Sequence, residues 1–306
     1  MAIPRATGKN GRSTGSRKTV ALVTCAELPD LDTDERAVIA PLAERGIAAV
    51  PAVWDEPSVK WEAFDAVIVR SAWDYPHRHG EFLRWAETVP NLWNPVDVLA
   101  WNTDKHRYLR HLGDAGLPVV PTMWVGPGST VTLPSTGVHV VKPAVGAGSR
   151  DVGRYDMGDP RERALAAGLA ANLTSSGRTA MVQPYLDAVD TAGETALLFF
   201  GGRYSHAIRK GPMLTGPADT GMGLYKQESI TAREATDAEL HVAQRVLCAV
   251  PGGVQRLLYA RVDVIPGPDG TPVVLELELT EPSLFLGFAA QAAERFAAAI
   301  DARLNA

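Results

Sequence analysis

The chain has 306 residues, 46% of them apolar and 21% charged, with a net charge of −5 at neutral pH; this composition supports a large core and more than one compact unit. Arg5, Lys9, Arg12, Arg17 and Lys18 give residues 1–19 a charge of +5 with no acid, so the remainder carries −10. That acidic body argues against a nucleic-acid groove, and no apolar run approaches the ~20 residues needed to span a bilayer.

Residues 1–19 read as a disordered basic tail without the apolar segment of a secretion signal. Cys25 and Cys248 lie far apart in apolar contexts and lack metal-ligand spacing, which predicts buried free thiols and a reducing, cytoplasmic setting. Val20–Ala26 is a short buried-type strand. A helix follows from Asp32 or Thr33 to Gly46, then strands at Ile47–Trp54 and Ala66–Ser71. Strands alternating with a helix predict a parallel sheet over residues 20–101. Arg70 ends the third strand and Trp73, Asp74 and Tyr75 follow it. Ligands gather at the carboxyl ends of strands in such sheets, so Arg70 with Trp73 and Asp74 is a candidate clamp for a substrate carboxylate. A surface arginine packed on Trp73 is the alternative.

Asn91–Asn102 reads as an irregular crossover, and Thr103 as the N-cap of a helix that places Lys105 in its first turn. The helix dipole disfavours a cation there, so either solvent or an anionic ligand compensates it. A strand at LPVVPTMWV precedes VVKPAVGAGSR, where Lys142 ends a β-branched run and Gly146, Ala147, Gly148 and Ser149 follow. Small residues let backbone N–H groups approach phosphate, with Lys142 adding charge. An ordinary turn explains the same residues, and neither a Walker A loop nor a dinucleotide fingerprint is present. Residues 160–175 read as helix, and a strand then runs into Gln183-Pro-Tyr185-Leu186. A hairpin through Gly201 and Gly202 ends at Arg209 and Lys210, and a Gly/Pro/Met-rich loop at 210–227 offers a cover for a site. Thr236–Ala249 and Leu284–Leu304 read as helices.

The most informative stretch joins Tyr259–Ile265 to Pro272–Leu279 through a Gly/Pro/Asp turn, a predicted β-hairpin. Alternation puts Glu276 and Glu278 on one face, with Leu275, Leu277 and Leu279 opposite. The pairing can bring Asp263 to these acids, with Arg261 on its own face. Adjacent carboxylates repel unless a cation sits over them, and a hard divalent ion such as Mg²⁺ suits oxygen ligands. A solvated edge strand is the alternative.

The order Lys105, Lys142 with its glycine loop, Gln183-Pro-Tyr, Arg209, Arg261-Val-Asp263 and Glu276-Leu-Glu278 resembles the ATP-grasp ligase superfamily across residues 20–306. The segments RSAWDYP, NTDKHRYLRHL, VVKPAVGAGSRD, VQPYLDAVDTAGE and LELELTEPSLFL are similar, within it, to the D-cycloserine synthetase family of O-ureido-serine cyclo-ligases. The resemblance implies an α/β ATP-grasp fold. Its expected parts are a Rossmann-like parallel sheet (20–101) and two α+β subdomains clamping ATP (102–185 and 186–306), the last carrying the metal site. It implies that Lys105, Lys142, Gly146, Gly148 and Ser149 hold phosphates, that Gln183, Tyr185 and Leu186 hold adenine, and that Asp190 takes the ribose. Asp263, Glu276 and Glu278 would hold two Mg²⁺ ions, although Glu278 departs from the usual Glu-x-Asn. Arg209 would meet the transferred phosphoryl with help from Arg261. Arg70, Trp73, Asp74 and Ser283 would bind a small amino-acid substrate. The implied reaction activates a carboxylate as an acyl phosphate and closes an amide, here within O-ureido-D-serine to yield D-cycloserine for antibiotic biosynthesis. The partners would be ATP and that substrate, with no nucleic acid or membrane and with homo-oligomer formation left open. Intermolecular amide or dipeptide ligation is the first alternative, and a non-catalytic ATP-binding regulator the second.

Overall fold

The computed structural model describes residues 17–148, 150–214, 216–218 and 229–306. The first sheet contains strands β1 (Thr19–Thr24), β2 (Ala48–Val53), β3 (Ala66–Ser71) and β4 (Leu92–Trp93), in the order β2-β1-β3-β4 and all parallel. Helix α1 (Ile39–Glu44) and helix α2 (His79–Thr88) make the crossovers. The parallel sheet expected from the sequence is present. The expected helix from Asp32 is instead a 3₁₀ turn at Glu35–Val38 leading into α1. The stretch expected to be irregular holds β4 and α3 (Val96–Asn102).

Helix α4 (Lys105–Asp114) starts one residue later than expected, because the Asp104 side chain, not Thr103, accepts from the His106 N–H as cap. A second sheet, antiparallel throughout, comprises β5 (Met123–Val125), β6 (Val138–Pro143), β7 (Gly153–Asp156) and β8 (Ala180–Pro184), ordered β5-β8-β6-β7. Helix α5 (Pro160–Ser175) covers one face of this sheet, through Ala166, Ala170 and Leu173.

After the short helix α6 (Ala188–Thr191) comes the third sheet, of β9 (Glu194–Phe200), β10 (Arg203–Lys210), β11 (Ile230–Arg233), β12 (Tyr259–Pro266) and β13 (Pro272–Glu278), ordered β11-β10-β9-β12-β13 and antiparallel. Its two faces have different partners. Leu197, Phe199, Val262 and Leu277 pack against α4 and against α7 (Asp237–Cys248), whose N-terminus carries a Thr236/Glu239 capping box. Ala196, Leu198, Ile208 and Tyr259 instead share a core with Val20, Leu22 and Ile68 of the first sheet and with Phe296 and Ile300 of α8 (Ala292–Leu304). The first and third sheets are thereby joined by one apolar core.

Residues 284–291, expected as the start of a long last helix, form a loop with a 3₁₀ turn at Leu286–Phe288; Phe285 and Gln291 adopt positive φ. Cys25 is buried as expected but Cys248 is exposed at the end of α7. Among the described residues no helix is long and apolar enough to cross a membrane.

Candidate active site

Cross-strand pairing in the β12–β13 hairpin places Arg261 opposite Glu278 and Asp263 opposite Glu276. A register shift follows Asp263, so Leu275 is an extra residue on β13. That bulge turns Leu275 to the cavity wall beside Glu276 and Glu278, while Val274, Leu277 and Leu279 enter the core. Strict alternation had put Leu275 among the core residues. The acids and Arg261 do meet as the hairpin reading expected.

Glu276, Glu278 and Arg261 face an open cavity of about 450 Å³ where the three sheets converge. Lys105, first residue of α4, reaches Glu276 Oε1 at 2.8 Å and donates to the Gly146 carbonyl at 3.1 Å. Its backbone N–H is bonded to the Ala144 carbonyl, which ties the helix start to the glycine loop. Lys142, at the end of β6, lines the same cavity and makes no ion pair among the described residues. Burial, with Lys105 and Lys210 nearby, pushes its pKa down. Asp263 lies beneath the wall, 1% exposed, with Lys210 Nζ 2.6 Å from Oδ2 and Arg261 Nε 2.9 Å from Oδ1. Arg261 also bonds Glu278, and its Nη1 donates to the Ser283 carbonyl at 3.3 Å. The lysines Lys105 and Lys142 hold the Glu276 pKa down against the opposing effect of burial, whereas burial and the neighbouring acids raise that of Glu278. Among the described residues no three acid, His or Cys side chains stand together as a metal site, and Glu276, Asp263 and Glu278 are each paired with a lysine or arginine.

The glycine loop lines the cavity at Gly146 and Gly148, the latter at φ +64°. Ser149 lies outside the described residues, as does much of the 210–227 loop. Gln183, Tyr185 and Leu186 line the far side. The Gln183 side-chain nitrogen donates to Thr122 Oγ1 at 2.9 Å, and the Tyr185 N–H is committed to the Val138 carbonyl. The Tyr185 hydroxyl donates to Asp190 at 2.7 Å, and Arg154 stacks 3.9 Å above the Tyr185 ring.

Besides Asp263, four expected site residues are not among the cavity lining: Asp190, held by the Tyr185 hydroxyl, and three that sit elsewhere. Arg70 is fully buried and its guanidinium grips Glu35, with Nε to Oε2 at 2.8 Å and Nη2 to Oε1 at 3.3 Å, and also bonds the Pro282 carbonyl. It therefore does not face the cavity as a clamp. Asp74 accepts from Trp54 Nε1 at 2.9 Å and pairs with Arg78, so it closes the first sheet's core rather than lining the cavity. Arg209 lies on the α7 side of the third sheet and donates to the Ala192 and Thr191 carbonyls. Its neighbour Lys210 has the inward parity and pairs with Asp263 and, at 3.5 Å, with Glu194. Trp73 and Ser283 do line the cavity.

Sequence reading missed Lys210, Glu194 and Glu281 as cavity residues. Glu281 is 8% exposed; burial and the nearby Glu278 push its pKa up to about 8, partly offset by Lys105 and then by Tyr75. The regular spacing from β12 inward was a usable signal for Glu194 and Lys210 once the strand pairing was known. No periodic signal reaches Glu281, which follows the strand.

The D-cycloserine synthetase DcsG N-terminal domain profile matches residues 20–94. The cycloserine biosynthesis protein DcsG of Streptomyces lavendulae is 37% identical, with 94% of this chain and 99% of that protein covered. The crystal structure of D-cycloserine synthetase DcsG superposes with a TM-score of 0.82 at the same identity and coverage. The D-alanine–D-alanine ligase of Bacillus anthracis in complex with ATP shares the fold, with a TM-score of 0.65 at 15% identity over 94% of this chain and 98% of that one. A parallel first sheet, two antiparallel sheets about one charged cavity, and identity sustained along nearly the whole chain agree: the protein belongs to the D-cycloserine synthetase family of ATP-grasp ligases.

Proposed function

We propose that the protein closes O-ureido-D-serine to D-cycloserine at the expense of ATP, releasing ADP, phosphate, CO₂ and NH₃ with uptake of one water. The observation that carries this reading is the set of cations at the cavity, Lys105, Lys142, Lys210 and Arg261, in a chain 37% identical to cycloserine biosynthesis protein DcsG. ATP enters with its phosphates toward Lys105 and Lys142 and the glycine loop of Gly146, Gly148 and Ser149. Lys142 has no ion pair among the described residues, so it offers a charge that phosphate can take up. Adenine lies against Gln183, the Tyr185 carbonyl and Leu186, with Asp190 toward the ribose.

The oxygen-only donor set of Glu276, Glu278 and Asp263 suits Mg²⁺, held as two ions. Bound there, Mg²⁺ supplies neutralisation of the phosphate oxygens. Lys105, Lys210 and Arg261 must leave their carboxylates to admit it, and the phosphates are the natural new partners for these cations. Released from Asp263 and Glu278 and still within reach of the Ser283 carbonyl, Arg261 is placed to stabilise the oxyanion formed when the substrate nitrogen attacks the acyl phosphate. That attack expels phosphate and leaves a carbamoyl group on the ring nitrogen, which water removes as carbamate, the source of CO₂ and NH₃. Confining both reacting ends of one molecule contributes up to about 7–11 kcal/mol in well-oriented cases.

The test is incubation with ATP, Mg²⁺ and O-ureido-D-serine, following ADP and the ring product by mass spectrometry. Equal yields of ADP and D-cycloserine with no second amine present support cyclisation. ADP formation that requires a second amino acid would replace it with intermolecular ligation.

A further inference from the structure

One end of the cavity is lined by groups that nucleotide, metal and phosphoryl transfer leave unused. Trp73 and Tyr75, from the loop after β3, line it together with Phe285, Ser283 and Glu281. Glu281 is more than nine-tenths buried and yet makes no ion pair among the described residues. The protein's own cations are engaged by other acids: Lys105 by Glu276, Lys210 by Asp263 and Glu194, and Arg261 by Asp263 and Glu278. Backbone and hydroxyl contacts instead hold Glu281 in place. Its carbonyl accepts from Trp73 Nε1 at 3.0 Å, and the Tyr75 hydroxyl lies within reach of its carboxylate. A carboxylate has about four acceptor positions, so one hydroxyl leaves most of it to a ligand.

We propose that Glu281, steadied by Tyr75, receives the α-ammonium group of the amino-acid substrate and makes the enzyme select α-amino acids over their des-amino counterparts. The inference rests on the ligase reading above. Lys105 is near enough to act on this carboxylate but is ion-paired to Glu276, so an ammonium group would be the cation in direct contact with Glu281. The other acids at this end, Asp32 and Asp34, are only half-buried and accept backbone N–H groups. Both Asp34 oxygens accept backbone N–H groups, from Leu286 and Gly287 at 2.9 Å, and Asp32 Oδ1 accepts from the Asp34 N–H. Arg261 and Ser283 lie on the same side, so an ammonium at Glu281 would orient the α-carbon and its carboxylate toward Arg261.

The experiment compares O-ureido-D-serine with its des-amino analogue, 3-(ureidooxy)propanoate, in the parent protein and in Glu281→Gln. The parent should prefer the amino acid, and Glu281→Gln should lower kcat/KM for it by about 10- to 100-fold, the scale of a charged hydrogen bond. The variant's activity on the des-amino analogue and its KM for ATP should stay near parental values. Tyr75→Phe should show the same pattern more weakly and serves as the deciding variant if Glu281→Gln does not fold. Equal losses on both substrates would overturn the assignment and make Glu281 a support for metal or fold. Should the parent ignore O-ureido-D-serine but turn over another amino acid, the cyclisation reading fails. The same comparison on that amino acid and its des-amino form then decides the role of Glu281.

Discussion

Arg70 and Glu35 form an ion pair at 2.8 Å between side chains that are 0% and 1% exposed. The pair does more than neutralise itself. Glu35 Oε1 accepts the Leu284 N–H at 3.3 Å, Arg70 bonds the Pro282 carbonyl, and the guanidinium lies 4.5 Å over the Tyr259 ring. The loop after β13, which carries Glu281 and Ser283, is thus fastened to the first sheet. Glu35→Gln leaves a buried guanidinium without its counter-charge and should cost about 3–5 kcal/mol of stability. Denaturant unfolding checks this; a loss below about 1 kcal/mol would show that the pair is not what fastens the loop.

The parity of β10 separates two neighbouring cations. Lys210→Met should lower kcat by about a hundredfold or more, the scale of removing a donor from a transition-state site. Arg209→Met should leave kcat within about threefold, because among the described residues the Arg209 side chain hydrogen-bonds only the Thr191 and Ala192 carbonyls. Steady-state kinetics on both variants decides, and the reverse ranking would restore Arg209 to the site.

For Asp263, charge balance reverses what the acids alone suggest. Considered only with Glu276 and Glu278, removal of one negative charge relieves repulsion and should raise stability without Mg²⁺. In the structure Asp263 faces Lys210 and Arg261. Asp263→Asn leaves these two cations short of a partner and should destabilise the metal-free protein by about 3–5 kcal/mol. A thermal midpoint at or above the parent's would contradict this.

His206 makes stability fall in mild acid. Its Nε2 faces the Leu284 carbonyl at 3.0 Å, which can only accept, so the proton sits on Nε2. Nδ1 then accepts from Ser205, whose oxygen accepts from Arg295 Nε at 2.9 Å. Burial, with Arg295 adding to it, lowers the His206 pKa to about 4 although the Leu284 carbonyl opposes the shift. The unfolded chain takes up a proton near pH 6.5 and the folded protein only near 4. The contribution is therefore complete above pH 6.5 and is lost as pH falls toward 4, by up to about 3 kcal/mol. Unfolding free energies of the parent and His206→Asn between pH 7 and 4 test this; identical pH slopes would remove His206 from the account.

Elements with strong periodicity were legible in the sequence: the parallel strands β1 to β3, the β12–β13 hairpin, and the acids that alternation placed on one side of it. The errors arose where alternation carries no information or is interrupted. Every residue of β3 is buried, so the pattern does not say which way Arg70 points. A register shift after Asp263 in β12 breaks the alternation along that hairpin, so Leu275 does not have the face that simple counting assigns, and Arg209, placed by resemblance alone, lies on the other face from Lys210. The loop of residues 279–288 is shaped by contacts with Asp34, Glu35 and Arg70, between 212 and 252 positions earlier. No local pattern reports such contacts, which is why Glu281 went unnoticed.

The core shared by β1, β3 and α8 has a consequence for synthesis. Leu22 and Ile68 leave the ribosome well before Phe296 and Ile300, the residues that share their core. At roughly 5–20 residues per second, about 230 residues separate Ile68 from Phe296, a wait of roughly ten to fifty seconds. During that interval one apolar side of the nascent first sheet lacks its final cover. The yield of folded protein should therefore depend on chaperone supply and on translation speed far more than the stability of the finished molecule would suggest.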